Sequence, residues 1–119
     1  NFIITGDKKL GQTLANKFGK IKNAQNILML KINASKKKEI SSKNTTGAAT
    51  EYILKINFDI EAISSLDGKS FFSKTFSENS SFKASTLHLD TLNREKKIIQ
   101  NMVSAISNEL TRQLSLIYN

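Results

Sequence analysis

An α+β two-layer sandwich, a mostly antiparallel sheet of about four strands with two helices packed on one face, follows from three patterns in this 119-residue chain. Residues 51–62, EYILKINFDIEA, place Tyr52, Leu54, Ile56, Phe58, Ile60 and Ala62 on every second position with polar residues between them, broken only by Ile53. That is the pattern of a strand with one buried face. From about Asp90 to Tyr118 the period becomes helical: Leu92, Ile99, Val103, Ile106, Leu110, Leu114 and Ile117 advance by three, four or seven. The element order, β-α-β-β-β-α, then supplies enough helix to cover one face of a sheet.

Taken in order, Phe2, Ile3 and Ile4 form a short apolar strand piece, and Asp7 is placed to cap the backbone N–H groups of a helix that follows. Leu10, Leu14, Phe18 and Ile21 share one face of that helix, and Gly19 is suited to end it in a left-handed conformation. Gly11 within it costs about 1 kcal/mol relative to alanine. Asn26–Ser35 alternate as a second strand, with Leu28, Leu30, Ile32 and Ala34 on one side. The composition of KKKEISSKNTTGAAT, residues 36–50, predicts a long hairpin tip.

After the 51–62 strand, Asp67-Gly68 supplies the positive φ of a tight turn, and the next strand begins near Lys69. There Phe72, Phe76 and Phe82 share parity with Lys74, Glu78 and Ser80, so a bulge or bend toward Glu78 is expected. The final helix, on the order of 40 Å long at about 1.5 Å per residue, is the main lid, with Asp90 as its cap.

The length fits a single domain, residues 1–119, able to bury a core without disulfides. No apolar run approaches the roughly 18–20 residues of a membrane span, so the chain reads as soluble. There is no cysteine, which removes disulfides, thiolate zinc sites and cysteine nucleophiles from these residues. A start at Asn1 rather than Met leads us to expect an upstream segment. The net charge of +8 is concentrated: residues 1–50 hold ten lysines against Asp7 and Glu39, whereas the remainder holds eight basic and eight acidic residues. Such a field favours an anionic partner, whether nucleic acid, anionic lipid or an acidic protein.

Catalytic chemistry finds little to work with. A Ser-His-acid arrangement would have to use His88, the one histidine. Asp59 and Glu61 share a strand face about 7 Å apart but lack any sign of a cleft, and a solvated face accounts for them. No ligand spacing implies a metal and no GxGxxG or GxxxxGK[ST] loop implies a nucleotide, so no cofactor is expected. The polar grouping that stands out is Lys36, Lys37, Lys38 and Lys43, able on a hairpin tip to grip phosphates by charge. A small basic nucleic-acid-binding module is therefore the alternative reading, although no RRM, KH or OB signature accompanies the cluster.

Three stretches, NFIITGDKKLGQTLANKF, then TGAATEYILKINFDIEAISSLDGKSFFSKTFSENSSF, then STLHLDTLNREKKIIQNMVSAISNELTRQLSLIY, give the chain a resemblance to the lipopolysaccharide-assembly lipoprotein family LptE, in its alphaproteobacterial form. The resemblance lies in the order of parts and covers most of the chain. It implies a non-enzymatic outer-membrane lipoprotein on the periplasmic side, acting as plug and chaperone of the β-barrel LptD and binding lipopolysaccharide. The anchor it implies is an N-terminal lipidated cysteine, which is not among these residues. Lys36, Lys37, Lys38 and Lys43 are the residues we assign to lipopolysaccharide, from charge and loop placement and not from the resemblance.

Overall fold

The computed structural model describes residues 2–18, 27–64, 66–84 and 88–118; of Ile27, Leu28, His88, Ile117 and Tyr118 it describes the backbone alone. The order is β1 (Phe2–Gly6), α1 (Lys8–Phe18), β2 (Ile27–Lys43), β3 (Ala49–Ser64), β4 (Ser70–Lys83) and α2 (His88–Tyr118). The four strands lie side by side in chain order in one sheet. β1 runs parallel to β2, and β2, β3 and β4 are antiparallel. A parallel neighbour requires a crossover, and α1 is that crossover.

The register places Leu30, Ile32 and Ala34 of β2 beside Ala62, Ile60 and Phe58 of β3, and Phe72, Phe76 and Phe82 of β4 beside Ala62, Phe58 and Tyr52. These residues form the floor of the core. Its roof is Leu10, Leu14, Ala15 and Phe18 of α1 with Met102, Val103, Ile106, Leu110 and Leu114 of α2. At 1.5 Å per residue, the 31 residues of α2 extend about 46 Å, matching the 14 residues of β4 at about 3.3 Å each. The molecule is accordingly a rod, 60 × 22 × 20 Å.

The start of α1 forms as its residues dictate. Asp7 Oδ1 accepts from the Leu10 N–H at 3.1 Å, and the Asp7 N–H donates to the Ala34 carbonyl at 2.8 Å, so one residue caps the helix and ties it to the sheet. Gly11 has a packing reason that periodicity does not reveal. A Cβ there would lie 2.4 Å from Ile4 Cγ2, so the glycine lets α1 approach β1. Ile21 and Gly19, expected to extend and end this helix, and Asn26 lie outside the described residues.

Three local expectations differ from the structure. The long tip over residues 36–50 is mostly strand: β2 continues through Lys43, and the tip is reduced to residues 44–48. Asn44 organises it, its Oδ1 accepting from the N–H groups of Thr46 and Ala48 and its carbonyl from the Gly47 N–H. The strand persists because β3 pairs with it, Lys36 beside Ile56 and Lys38 beside Leu54. Asp90 lies in the first turn of α2, which begins at His88, and so complements the positive end of that helix from inside it.

The irregularity in β4 sits at Phe71, where Ala62 pairs with Phe72 and Ile63 with Ser70, and not near Glu78. Lys74, Glu78 and Ser80 consequently do share the helix side with the phenylalanines. An edge strand tolerates this: Lys74 and Glu78 stay exposed, and the Lys74 Nζ lies 5.7 Å from the Phe76 ring centre.

Gly6 provides a sharp test of the β1 to α1 junction. Its φ is 76°, and a Cβ would fall 2.1 Å from the Ala34 carbonyl oxygen. We expect Gly6→Ala to cost about 2 kcal/mol or more in urea unfolding, whereas alanine at Gly47, where φ is 88° but nothing lies within 4 Å, costs less than that. Equal losses at the two sites would refute the close approach at Gly6.

Candidate functional site

Strand alternation decides what the lysine cluster can do. Lys36 and Lys38 point to the helix side of β2, in line with Ala34, while Lys37 points to the opposite, open side with Ser35 and Glu39. The four residues therefore do not form one patch. Lys38 is committed to the fold: its Nζ lies 3.1 Å from Glu95 Oε2 on α2 and 4.5 Å above the Tyr52 ring, which stacks on Phe82 at 5.4 Å. Lys37 and Lys55 flank Glu39 at 3.0 and 3.5 Å. Their hydrogen bonds and charges, Lys37 first, hold the Glu39 carboxyl below its ordinary value. Among the described residues, Lys36 and Lys43 have no carboxylate at ion-pair distance.

Lys36 also borders a cavity of about 300 Å³ between the start of α1 and the first half of α2. Leu10, Leu92 and Ile99 give it apolar walls, and Lys9, Lys36 and Lys96 supply positive charge around them. Its two acids are already engaged, Asp7 with its own helix and Glu95 with Lys38. An apolar hollow ringed by ammonium groups suits an amphipathic anion. Sequence reasoning missed Lys9, Lys96 and the cavity itself, because its walls come from three elements far apart in the chain. The i, i+4 step from Leu92 to Lys96 and the Lys8-Lys9 pair beside the cap were the available signals.

The sheet's open face is polar throughout its centre. One row crosses all four strands, Thr5, Asn33, Asp59 and Thr75. The Thr5 hydroxyl donates to Asn33 Oδ1 at 3.1 Å and that of Thr75 to Asp59 Oδ1 at 2.6 Å. The next row pairs Ser77 Oγ with Asn57 Oδ1, and Lys31 meets Glu61 at 3.6 Å in the row on the other side. Asp59 and Glu61 are thus each engaged by a neighbour, Thr75 and Lys31, and both border a solvent-open hollow of the sheet surface with Ser73 and Lys74. The His88 side chain lies outside the described residues. Among the described residues no group of three His, Cys, Asp or Glu side chains could hold a metal ion, and no helix is long and apolar enough to cross a membrane.

The architecture so defined is an α+β sandwich with one sheet face sealed by helices and the other polar. Solved structures share it. Over 98% of this chain and 95% of the other, a rare lipoprotein B from Shewanella oneidensis superposes with a TM-score of 0.68 at 14% identity. An uncharacterized lipoprotein B from Nitrosomonas europaea gives 0.66 at 15% identity, covering 98% and 83%, and a minor lipoprotein from Acinetobacter baumannii 0.55 at 13%, covering 98% and 90%. The chain has the fold of these bacterial lipoproteins. No family model matches the sequence, and no curated protein matches it.

At the far end of α2, Arg112 Nε donates to Glu109 Oε2 at 3.0 Å, a second guanidinium nitrogen bonds Oε1, and Gln113 donates to the same carboxylate. These bonds, with the charges of Arg112 and of Lys74 on β4, push the Glu109 carboxyl down to about 2. A lowered carboxyl stabilises the fold above its ordinary value of 4.5, and that contribution is lost as pH falls toward 2. Carbon-detected NMR should place the Glu109 midpoint near 2 and return it toward 4.5 in Arg112→Gln. An unmoved midpoint would show that the pair does not hold in solution.

Proposed function

We propose that the chain is a non-enzymatic lipopolysaccharide-assembly lipoprotein of the LptE kind, held at the periplasmic side of the outer membrane by a lipidated cysteine upstream of Asn1. In this reading it plugs the barrel of an LptD-type partner and chaperones lipopolysaccharide through it. The observation that carries the reading is the rod with a polar sheet face. A large outer-membrane barrel has a polar interior, and the Ser, Thr, Asn and paired-charge rows at the centre of the open face can exchange hydrogen bonds with such a lining.

Size supports it as well. Twenty-two strands spaced by 4.8 Å and tilted near 40° close into a barrel about 44 Å across at the backbone, and side chains leave about 34 Å. The backbone cross-section of 22 × 20 Å, widened by about 10 Å with side chains, still enters such a lumen, and the 60 Å length exceeds the apolar band of about 25 Å. The likeness in fold to three bacterial lipoproteins points the same way.

For lipopolysaccharide, Lys36 and Lys43 are the members of the predicted cluster with charge to spare, and the cavity beside Lys36 suits an acyl chain below a phosphate. Lys37 and Lys38 would contribute through the field of the strand. The nucleic-acid reading draws less support. Stacking bases on a sheet needs exposed aromatic rings, and Tyr52, Phe58, Phe72, Phe76 and Phe82 all face the helices.

Affinity purification of the full-length tagged protein from outer membranes should recover a heat-modifiable β-barrel protein. Recovery of none, with the tagged protein in the cytosol, would overturn the plug reading. Purified chain should bind lipopolysaccharide more weakly as salt rises, and Lys36→Glu with Lys43→Glu should weaken it more than Lys38→Gln. Affinity unchanged by the double reversal would remove the lysine assignment while leaving the barrel partner in place.

A further inference from the structure

The edge of β2 is open along half its length. β1 ends at Gly6, opposite Ala34, so from Ser35 to Lys43 the strand has β3 on one side and, among the described residues, no strand on the other. The Ala34 carbonyl accepts from Asp7, so it points to the β1 side. Backbone groups alternate between the two edges along a strand, so the N–H and C=O groups of Lys36, Lys38 and Ile40 point out of the open edge. The pairing with β3 is regular through this segment, with no register shift before Ile40.

We infer that this edge receives an acidic, extended segment of a partner protein as a fifth strand, on the line that β1 leaves at Gly6. The charge selects the occupant. Along the edge Lys37 is paired with Glu39 and Lys38 with Glu95 of α2, which leaves Lys36 and Lys43, among the described residues, with no acid at ion-pair distance. A second copy of the chain, antiparallel and centred on Lys37, would set Lys37 against Lys37 and Lys36 against Lys38, which disfavours self-pairing in that register. Glutamate or aspartate on the incoming strand meets the ammonium groups of Lys36 and Lys43 favourably. Strand addition takes its affinity from main-chain hydrogen bonds and its specificity from pockets for alternate side chains. Here the cavity bordered by Asp7 and Lys36 lies on the helix side where the open edge begins, and its walls of Leu10, Leu92 and Ile99 suit one apolar side chain. The inference stands apart from the lipopolysaccharide reading, since it concerns backbone groups and not the barrel or the lipid.

The test is selection of binders to the folded protein from a random twelve-residue peptide library, followed by NMR of the protein with the enriched peptides. We expect acidic peptides with one apolar residue, protection of the Lys36, Lys38 and Ile40 amides from hydrogen exchange, and loss of affinity with salt. Ile40→Pro removes an outward N–H and no bond to β3, so it should fold like the parent yet bind the peptides about tenfold or more weaker. Lys37→Pro, whose N–H points to β3, should instead lower the melting temperature. Enriched peptides that are neutral or basic, binding equal in Ile40→Pro and parent, shifts mapping to another surface, dimerisation through this edge, or no enrichment at all would each overturn the proposal.

Discussion

Burial of the inner face of β3 is the constraint on which the remaining structure depends. Leu54, Ile56, Phe58, Ile60 and Ala62 lose all but 1% of their exposure at most. Each large side chain so buried contributes about 1.5–3 kcal/mol, but only if something apolar covers it along its whole length. A two-stranded hairpin cannot provide that cover. β3 therefore needs β2 and β4 beside it, and the wide floor that results needs a roof as long as the strands. α2 meets that need over β4 and β3, and α1, drawn close by Gly11 and fixed by Asp7, closes the end where β1 joins.

The parts legible in the sequence are those where one face is apolar and the other polar. β3 and α2 announce themselves because burial imposes a period on them. Asp7 and Asp67-Gly68 are legible for a different reason: their side-chain and backbone chemistry acts within a few residues, and Gly68 does adopt a φ of 70°. β2 beyond Ser35 carries lysine and serine on both of its faces, so no alternation distinguishes it from a loop. Its extended form comes from β3, through a register that sequence does not display. The same holds for Lys74 and Glu78 in β4, whose helix-side placement contradicts the usual pattern and is tolerated because an edge strand leaves their charged ends in water.

The candidate site was legible in part. That Lys36, Lys37, Lys38 and Lys43 stand out from the chain is a matter of counting. That alternation sends Lys37 to one face and Lys38 to the other follows once the segment is known to be a strand. What no local pattern could disclose is the engagement of Lys38 by Glu95, 57 positions away, or the cavity that Lys36 shares with Lys9 and Lys96. These depend on how α1 and α2 lie over the sheet, which is a property of the whole core.

A lysine-rich run in a loop would be a diffuse charge, free to follow any anion. Carried on a strand, the same residues acquire direction. Side chains divide between a polar open face and a helix-lined hollow, while the backbone that bears them presents a row of donors and acceptors along one edge. Face, hollow and edge meet at Lys36, where β1 stops and α1 begins. The short first strand is thus more than a truncated neighbour: by ending at Gly6 it leaves β2 half uncovered, and the positive φ of that glycine turns the chain away into α1 before it can pair further. Extending β1 by two or three residues would cover Ser35 to Lys37 and the rim of the cavity, and covering the edge as far as Lys43 would take nine, without altering the core that β3 requires.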